Sequence, residues 1–285
     1  MTALPALHVG APVQAGPLTL FPIWTDAPLH SRRRYVTTGA VVEELPEPEV
    51  ATLRVSNPRH RPLLLCEGTI LEGGWQHRAV AISVVVEPGQ TEDVPVLCVE
   101  AGRWGGEQSH GGGRRRVLAA TRGAIRGLSR GVPEPFDLHL RQQDVWDSVE
   151  RSQERFGRSE ARSMVDVHRG VEQRVATMVA STAPLPAQRG VVIGIGGHPV
   201  LMEVFDHPRL LATHWRYLVA AAAIDALDVQ SEATPSWRAR SFARHAMASG
   251  IDLPDPVADA MALIRDDELV HLSAVSALHP LVLAA

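Results

Sequence analysis

The chain has 285 residues, 45% hydrophobic and 21% charged, with a formal net charge of -4; this is the composition of a folded globular protein, with no overall field to gather nucleic acid or an acidic membrane. No apolar run approaches the roughly 20 residues that span a bilayer, and Met1 to Gly16 lacks the basic start and apolar stretch of a secretory signal. All 28 residues counted as lysine or arginine are arginine, which excludes Schiff-base and pyridoxal phosphate chemistry, the lysine phosphate loop, the kinase lysine and Ser-x-x-Lys acyl transfer.

The first third of the chain predicts β structure. Leu18 to Ile23, Ala40 to Glu44, Ala51 to Asn57 and Pro62 to Cys66 are short apolar segments separated by proline, glycine and charge. Over Arg78 to Val86, Val80, Ile82, Val84 and Val86 alternate with Ala79, Ala81 and Ser83, a period of two that sets the larger side chains on one face of a strand. Glu87-Pro88-Gly89-Gln90 favours reversal and Val94 to Val99 returns, which predicts a hairpin over Arg78 to Glu100. Residues 102–131 are rich in glycine and arginine with few apolar anchors, and predict a long mobile loop. Such a loop either orders on a ligand or partner, or is an insertion without a role.

Helices follow. Trp146, Val149 and Phe156 fall on one helical face, as do Val171, Val175, Met178 and Val179, before Pro184 and Pro186 end the region. Gly190 to Ile195 and Pro199 to Phe205 predict two strands joined at Gly196-Gly197. From Pro208, the residues Leu211, Trp215, Leu218, Ala222 and Ile224 outline an amphipathic helix, and a proline-containing link near Pro235 leads to a last helical stretch and a strand, Glu268 to Ser273. Strands first, then helices around a second small β element, predict an α+β fold: a mainly antiparallel N-terminal half packed with helices and a small β-hairpin from the C-terminal half. The expected organisation is one domain with a β-rich part over 17–101, the loop 102–131, a helical and hairpin part over 136–229, and a C-terminal helix and strand over 236–275.

Few motifs announce chemistry. Gly194-Ile195-Gly196-Gly197 lacks the third glycine of a dinucleotide loop, because Pro199 stands there, and β-like residues follow it; a hairpin turn is the better reading. The 13 histidines form no His-x-His or His-Glu-x-x-His, and no Cys-x-x-Cys is present, so neither a metal nor a cofactor is expected. Cys66 and Cys98 are too few for a disulfide scaffold, fit a cytoplasmic protein, and lie among aliphatic residues as buried packing groups. Arg114-Arg115-Arg116 either touches phosphates or is a solvated charge run.

The segment Cys66 to Arg78 is richer. It concentrates Glu67, Glu72, Gln76, His77 and Arg78 around three glycines, and a hairpin would return Glu100, Arg103 and Trp104 beside Arg78. Two carboxylates and two arginines would then converge at one sheet edge, with Trp104 as a stacking surface. Residue types alone leave two readings open, a ligand cleft or a salt-bridge knot at the hairpin base.

Leu65-Cys66-Glu67-Gly68, Gly73-Gly74-Trp75-Gln76-His77-Arg78 and Pro95-Val96-Leu97-Cys98-Val99-Glu100-Ala101-Gly102-Arg103-Trp104 resemble the ARPP-1 family pattern, as do Gln143 to Trp146, Leu185 to Gly190, Phe205 and His271. The family is associated with ADP-ribosylglycohydrolases and rhodanese-phosphatases. The resemblance implies a role in NAD and ADP-ribose metabolism, and its matched polar residues are Glu67, Gln76, Arg78, Glu100, Arg103 and Trp104. The convergence expected above then assigns Glu67 and Glu100 as catalytic carboxylates, one of them a general base or a holder of a ribose hydroxyl, and Gln76, His77, Arg78, Arg103 and Trp104 as ligand-binding residues, with the two arginines on a pyrophosphate and Trp104 against a ring. Thr69 and His77 depart from the pattern, where the family has glutamate and asparagine. The expected partner is a small phosphorylated nucleotide; the alternative is a non-catalytic module that docks a protein through the loop 102–131.

Overall fold

The computed structural model describes residues 4–29, 35–47, 49–128, 137–248 and 258–283. From the N-terminus come β1 (Leu7–Val9), β2 (Val13–Ala15), β3 (Leu18–Thr25), β4 (Val41–Glu43), β5 (Thr52–Ser56) and β6 (Leu63–Leu65). Next are β7 (Thr69–Gly73), β8 (Arg78–Val80), β9 (Val84–Val86), β10 (Thr91–Cys98) and β11 (Ser109–Arg116). Helices α1 (Ala119–Arg126), α2 (Leu138–Phe156) and α3 (Met164–Ala180) follow. The chain then forms β12 (Gly190–Ile195), β13 (His198–Phe205), α4 (Pro208–Asp225), α5 (Ser236–Met247), β14 (Ala258–Arg265), β15 (Glu268–Ser276) and α6 (Pro280–Leu283). The fold is α+β with antiparallel sheets, as the sequence predicts. It divides into two compact units, Met1–Leu29 with Arg174–Ala284, and His30–Gln173; the boundary falls within α3.

The first unit is a seven-stranded sheet in the order β1-β3-β12-β13-β15-β14, with β2 also on β3. The expected β12–β13 hairpin is present and turns at Gly196 and Gly197, whose φ values of 57° and 80° are those glycine adopts without cost. Ala239, Phe242, Ala243 and Ala246 of α5 cover one face, against Phe21, Ile23, Val192, Met202, Val204 and Leu272. By alternation Phe205 points the other way, where its ring stacks on His214 of α4 at 5.2 Å and meets His271 at 4.8 Å. Edge strand β14 replaces what the sequence left within a C-terminal helical stretch. Its alanines favour helix, and pairing along β15 overrides that preference.

The second unit is a closed barrel in the order β10-β5-β4-β11-β7-β8, beside a two-stranded sheet, β6 with β9. Val42, Leu53, Val55, Leu71, Val80, Val94 and Val96 from the barrel strands fill its core together with Leu63, Leu65 and Val86. Two expectations are corrected here. The single strand over Arg78 to Val86 is broken: β8 pairs with β10, whereas β9 leaves to pair with β6. The segment expected as a loop over 102–131 is not one long loop over its described residues, 102–128, since β11 joins the barrel between β4 and β7 and α1 follows it; residues 129–131 lie outside the described residues. Its arginines supply the anchors that apolar residues would otherwise give: Arg115 bonds Glu72 and Arg116 bonds the Glu67 carbonyl. Gly112 and Gly113, at φ 101° and 74°, carry the irregularity in the β11–β7 register.

Helix α2 is fixed to the barrel by one amide. The buried Gln142 side chain accepts from the Cys98 N–H at 2.8 Å and donates to the Cys98 carbonyl at 3.0 Å, as a neighbouring strand would. Both expected packing cysteines are buried, and neither forms a disulfide. On α3, buried His168 bonds the Arg116 carbonyl through Nε2 at 3.0 Å.

Two tests follow from these contacts. Gln142→Leu leaves two buried backbone groups of Cys98 without partners, and urea unfolding should show a loss of about 2–4 kcal/mol. Burial pushes His168 down to about 4 from the ordinary 6.5, with nearby Arg115 adding to the shift. Between those values the unfolded chain binds a proton that the folded one does not, so stability should fall as pH drops from 6.5 towards 4. A contribution of about 3 kcal/mol to that slope should be missing in His168→Gln.

Candidate functional site

One end of the barrel interior is polar. Arg78, two residues before Val80, shares its inward face and lies opposite Leu71 and Cys98; its side chain is 0% exposed. The same parity brings His110, opposite Val42, and Glu44, two residues beyond Val42, to this end. Glu44 Oε1 takes His110 Nε2 at 3.0 Å and the Trp75 N–H at 3.0 Å, and Glu44 Oε2 lies 3.8 Å from an Arg78 terminal nitrogen. Gly74 is required here: its φ is 58°, and a Cβ would sit 1.9 Å from His110 Nε2.

A second layer continues outward. Arg78 donates through its other terminal nitrogen to Gln76 Oε1 at 3.1 Å, and Gln76 Nε2 donates to the Glu100 carbonyl at 2.9 Å. Glu100 accepts from the His77 N–H at 2.8 Å and holds Arg103 by both oxygens, at 3.0 and 2.7 Å. Arg103 also donates to the carbonyls of Gly74 at 2.6 Å and Gly105 at 3.1 Å, which ties the approach to β8 to the segment after β10. Trp104 closes the end, with its ring 5.7 Å from Arg78 Cζ and Trp75 edge-on to it at 5.5 Å. Trp104 nevertheless remains 52% exposed.

The structure therefore gathers Gln76, His77, Arg78, Glu100, Arg103 and Trp104 into one network and leaves Glu67 out of it. Glu67 is buried on the connection from β6 to β7, where Arg126 of α1 holds both its oxygens at 2.8 and 2.5 Å. The expected convergence of Glu67 with Arg78, Glu100 and Arg103 is thus corrected: the partner that claims Glu67 comes from a segment the sequence presented as loop. The expected pairing of Glu100 with Arg78 is corrected as well. Cys98 stands opposite Arg78, two residues short of Glu100, and the carboxylate nearest the Arg78 guanidinium is Glu44. Sequence reasoning also missed Trp75 and His110. The signal for Glu44 was available, because alternation from Val42 carries a carboxylate to the inside.

Electrostatics limit what these groups do. Burial raises the Glu100 carboxyl, but the hydrogen bonds of Arg103 and the His77 N–H outweigh it and hold it below the ordinary range. Glu44 is similarly raised by burial and brought below the ordinary value by His110, the Trp75 N–H and Arg78. Burial lowers His77, whose Nδ1 accepts from the Gly73 N–H at 2.9 Å. Burial pushes Cys98 up to about 11, which keeps it a thiol. Glu67 and Glu100 are thus both committed to arginines, and Glu100 is a weak proton acceptor. Among the described residues no three histidine, cysteine or acidic groups gather to hold a metal ion, and no helix is long and apolar enough to cross a membrane.

The family model of the ARG and Rhodanese-Phosphatase-superfamily-associated Protein domain, ARPP-1, matches residues 6–275. The chain belongs to this family. No curated protein and no solved structure matches it. The ARPP-1 match runs through both compact units, so the family's sequence signature extends well beyond the barrel. Thr69 is buried opposite Arg116, and its hydroxyl has no hydrogen-bond partner among the described residues. His77 contributes its backbone to Glu100 and its ring to Gly73.

A carboxyl whose folded value is lowered stabilises the fold above its ordinary value, and that contribution is lost as pH falls through the lowered one. In Arg103→Ala, burial would dominate at Glu100, so acid unfolding followed by circular dichroism should move to higher pH. Arg54→Ala, which removes an exposed pair with Asp93, should leave the acid midpoint unchanged.

Proposed function

We propose that the chain binds a nucleotide of the ADP-ribose and NAD class at the Trp104 end of the barrel, and that Glu100 there, like Glu67 outside that network, serves as a structural carboxylate and not as a general base. The observation that carries this reading is Trp104: a large aromatic ring, half-exposed, held by Trp75 at its edge and by the Arg78 cation nearby, above a buried polar cluster. An exposed tryptophan braced in this way offers a flat surface to a base, and such stacking contributes roughly 1–3 kcal/mol. The family's association with ADP-ribosylglycohydrolase systems supports the choice of nucleotide class.

The charges set the orientation. Arg78 faces Glu44 and Arg103 is held by Glu100, so neither of these two arginines is a surplus cation for a pyrophosphate. In the proposed complex the ring lies against Trp104 and the phosphates remain towards solvent. Carboxylates held below their ordinary range, with oxygens committed to arginine, are poor at taking a proton from an attacking water.

Calorimetric titration with ADP-ribose, NAD and AMP tests the reading. At least one should bind the wild-type chain, and Trp104→Ala should weaken it by about tenfold or more while leaving the unfolding temperature nearly unchanged. No binding at millimolar concentrations, or full affinity in Trp104→Ala, would remove the proposal.

A further inference from the structure

The barrel end holds a set of hydrogen-bonding atoms that its neighbours leave incomplete. Arg78 Nε and one terminal nitrogen, which together form one side of the guanidinium fork, are buried with no nitrogen or oxygen hydrogen-bond partner among the described residues, and the residue opposite Arg78 offers only the Cys98 thiol, a weak acceptor. Glu44 Oε2 and His110 Nδ1 are likewise buried without a hydrogen-bond partner among the described residues. The Arg78 nitrogen and Glu44 Oε2 are 3.8 Å apart, inside ion-pair range and beyond hydrogen-bond range. Buried donors and acceptors of charged groups are expensive to leave unmade, so this cluster is a strong recogniser of whatever completes it.

The two halves of the cluster restrict the occupant. An anion would satisfy the Arg78 fork and be repelled by Glu44 Oε2. A cation would satisfy Glu44 and be repelled by Arg78. A neutral group with an acceptor beside an N–H donor satisfies both, the acceptor taking Arg78 and the N–H giving to Glu44. Planar heterocycles carry such edges in two forms, an aminated base edge with a ring nitrogen beside an amino group, and a carboxamide on an aromatic ring. In the proposed complex the ligand ring lies along Trp104, whose own ring is over Arg78.

We propose that Arg78 and Glu44 read a neutral donor–acceptor edge on the ligand ring, so that the site selects its nucleotide by the base or carboxamide and not by the phosphate. This rests on the reading that a nucleotide sits at the Trp104 end, and it goes further by naming the group recognised and the two side chains that recognise it.

Titration of the wild-type chain separates the two ideas without any variant that might fail to fold. The probes are AMP, nicotinamide mononucleotide and ribose 5-phosphate, with two analogues: purine riboside 5′-monophosphate, which lacks the amino donor, and nicotinic acid mononucleotide, which has a carboxylate in place of the carboxamide. AMP or nicotinamide mononucleotide should bind at least about tenfold tighter than ribose 5-phosphate, and its own analogue should lose about that factor. Whichever of the two binds identifies the edge as base or carboxamide. Glu44→Gln, where it folds, should abolish the preference for the parent over the analogue. If parent and analogue bind alike, the nucleotide site stands and edge reading by Arg78 and Glu44 is overturned. If no probe binds while the chain is folded, both fall, and the cluster is completed by water alone.

Discussion

The guanidinium of Arg78 inside a closed barrel is the constraint from which the rest of this region follows. A cation withdrawn from water costs several kcal/mol unless partners replace its hydration. Here the replacement is a chain of groups: Glu44 beside it, Gln76 accepting from it, the Glu100 backbone accepting from Gln76, and Arg103 balancing the Glu100 carboxylate. The links come from three parts of the chain, around Glu44, around Gln76 and Arg78, and around Glu100 and Arg103. The tight turn at Gly74, the carbonyls that Arg103 gathers and the position of Trp104 are consequences of holding that sequence of partners in place.

The absence of lysine gives this arrangement its character. A buried lysine can lose its proton and become neutral; arginine does not, so each buried cation must be matched by geometry. The planar fork supplies that geometry: Arg126 on Glu67 and Arg103 on Glu100 are both two-point pairs. Arg116 and Arg122 are as buried as the aliphatic core. Arg116, Arg122 and Arg126 in the segment after Trp104 therefore act as internal struts, although the composition of that segment looks solvated.

That explains which parts of the structure were legible in the sequence. Short strands such as Leu18 to Ile23 and Ala51 to Asn57, the β12–β13 hairpin and helix α4 declare themselves through apolar period and turn residues, and they are present. Strand β11 could not be found in this way, because Ser109 to Arg116 contains only glycine and polar residues, and its place is fixed by pairing with β4 and β7. The site was half legible for the same reason. The block from Val96 to Trp104 with Gln76 to Arg78 is local in sequence and close in space. Glu44 and His110 join through barrel closure, and Arg126 draws Glu67 away from the site through helix placement; no window of residues contains either effect.

The fate of the two carboxylates decides how the region should be understood chemically. A general base needs an oxygen directed at substrate and a proton affinity near the working pH. Glu67 spends both oxygens on Arg126 deep in the fold, and Glu100 spends both on Arg103 and the His77 backbone, with its affinity for a proton lowered in consequence. Freeing Glu67 would leave the buried Arg126 unpaired, and freeing Glu100 would leave its own buried carboxylate without Arg103, costs that substrate binding alone would have to offset. Arg78 and Glu44 differ, because their ion pair stops short of a hydrogen bond and each keeps a buried atom to offer. The barrel end is consequently organised to complete hydrogen bonds to a visiting group, and the neighbouring carboxylates hold the frame in which that completion can occur.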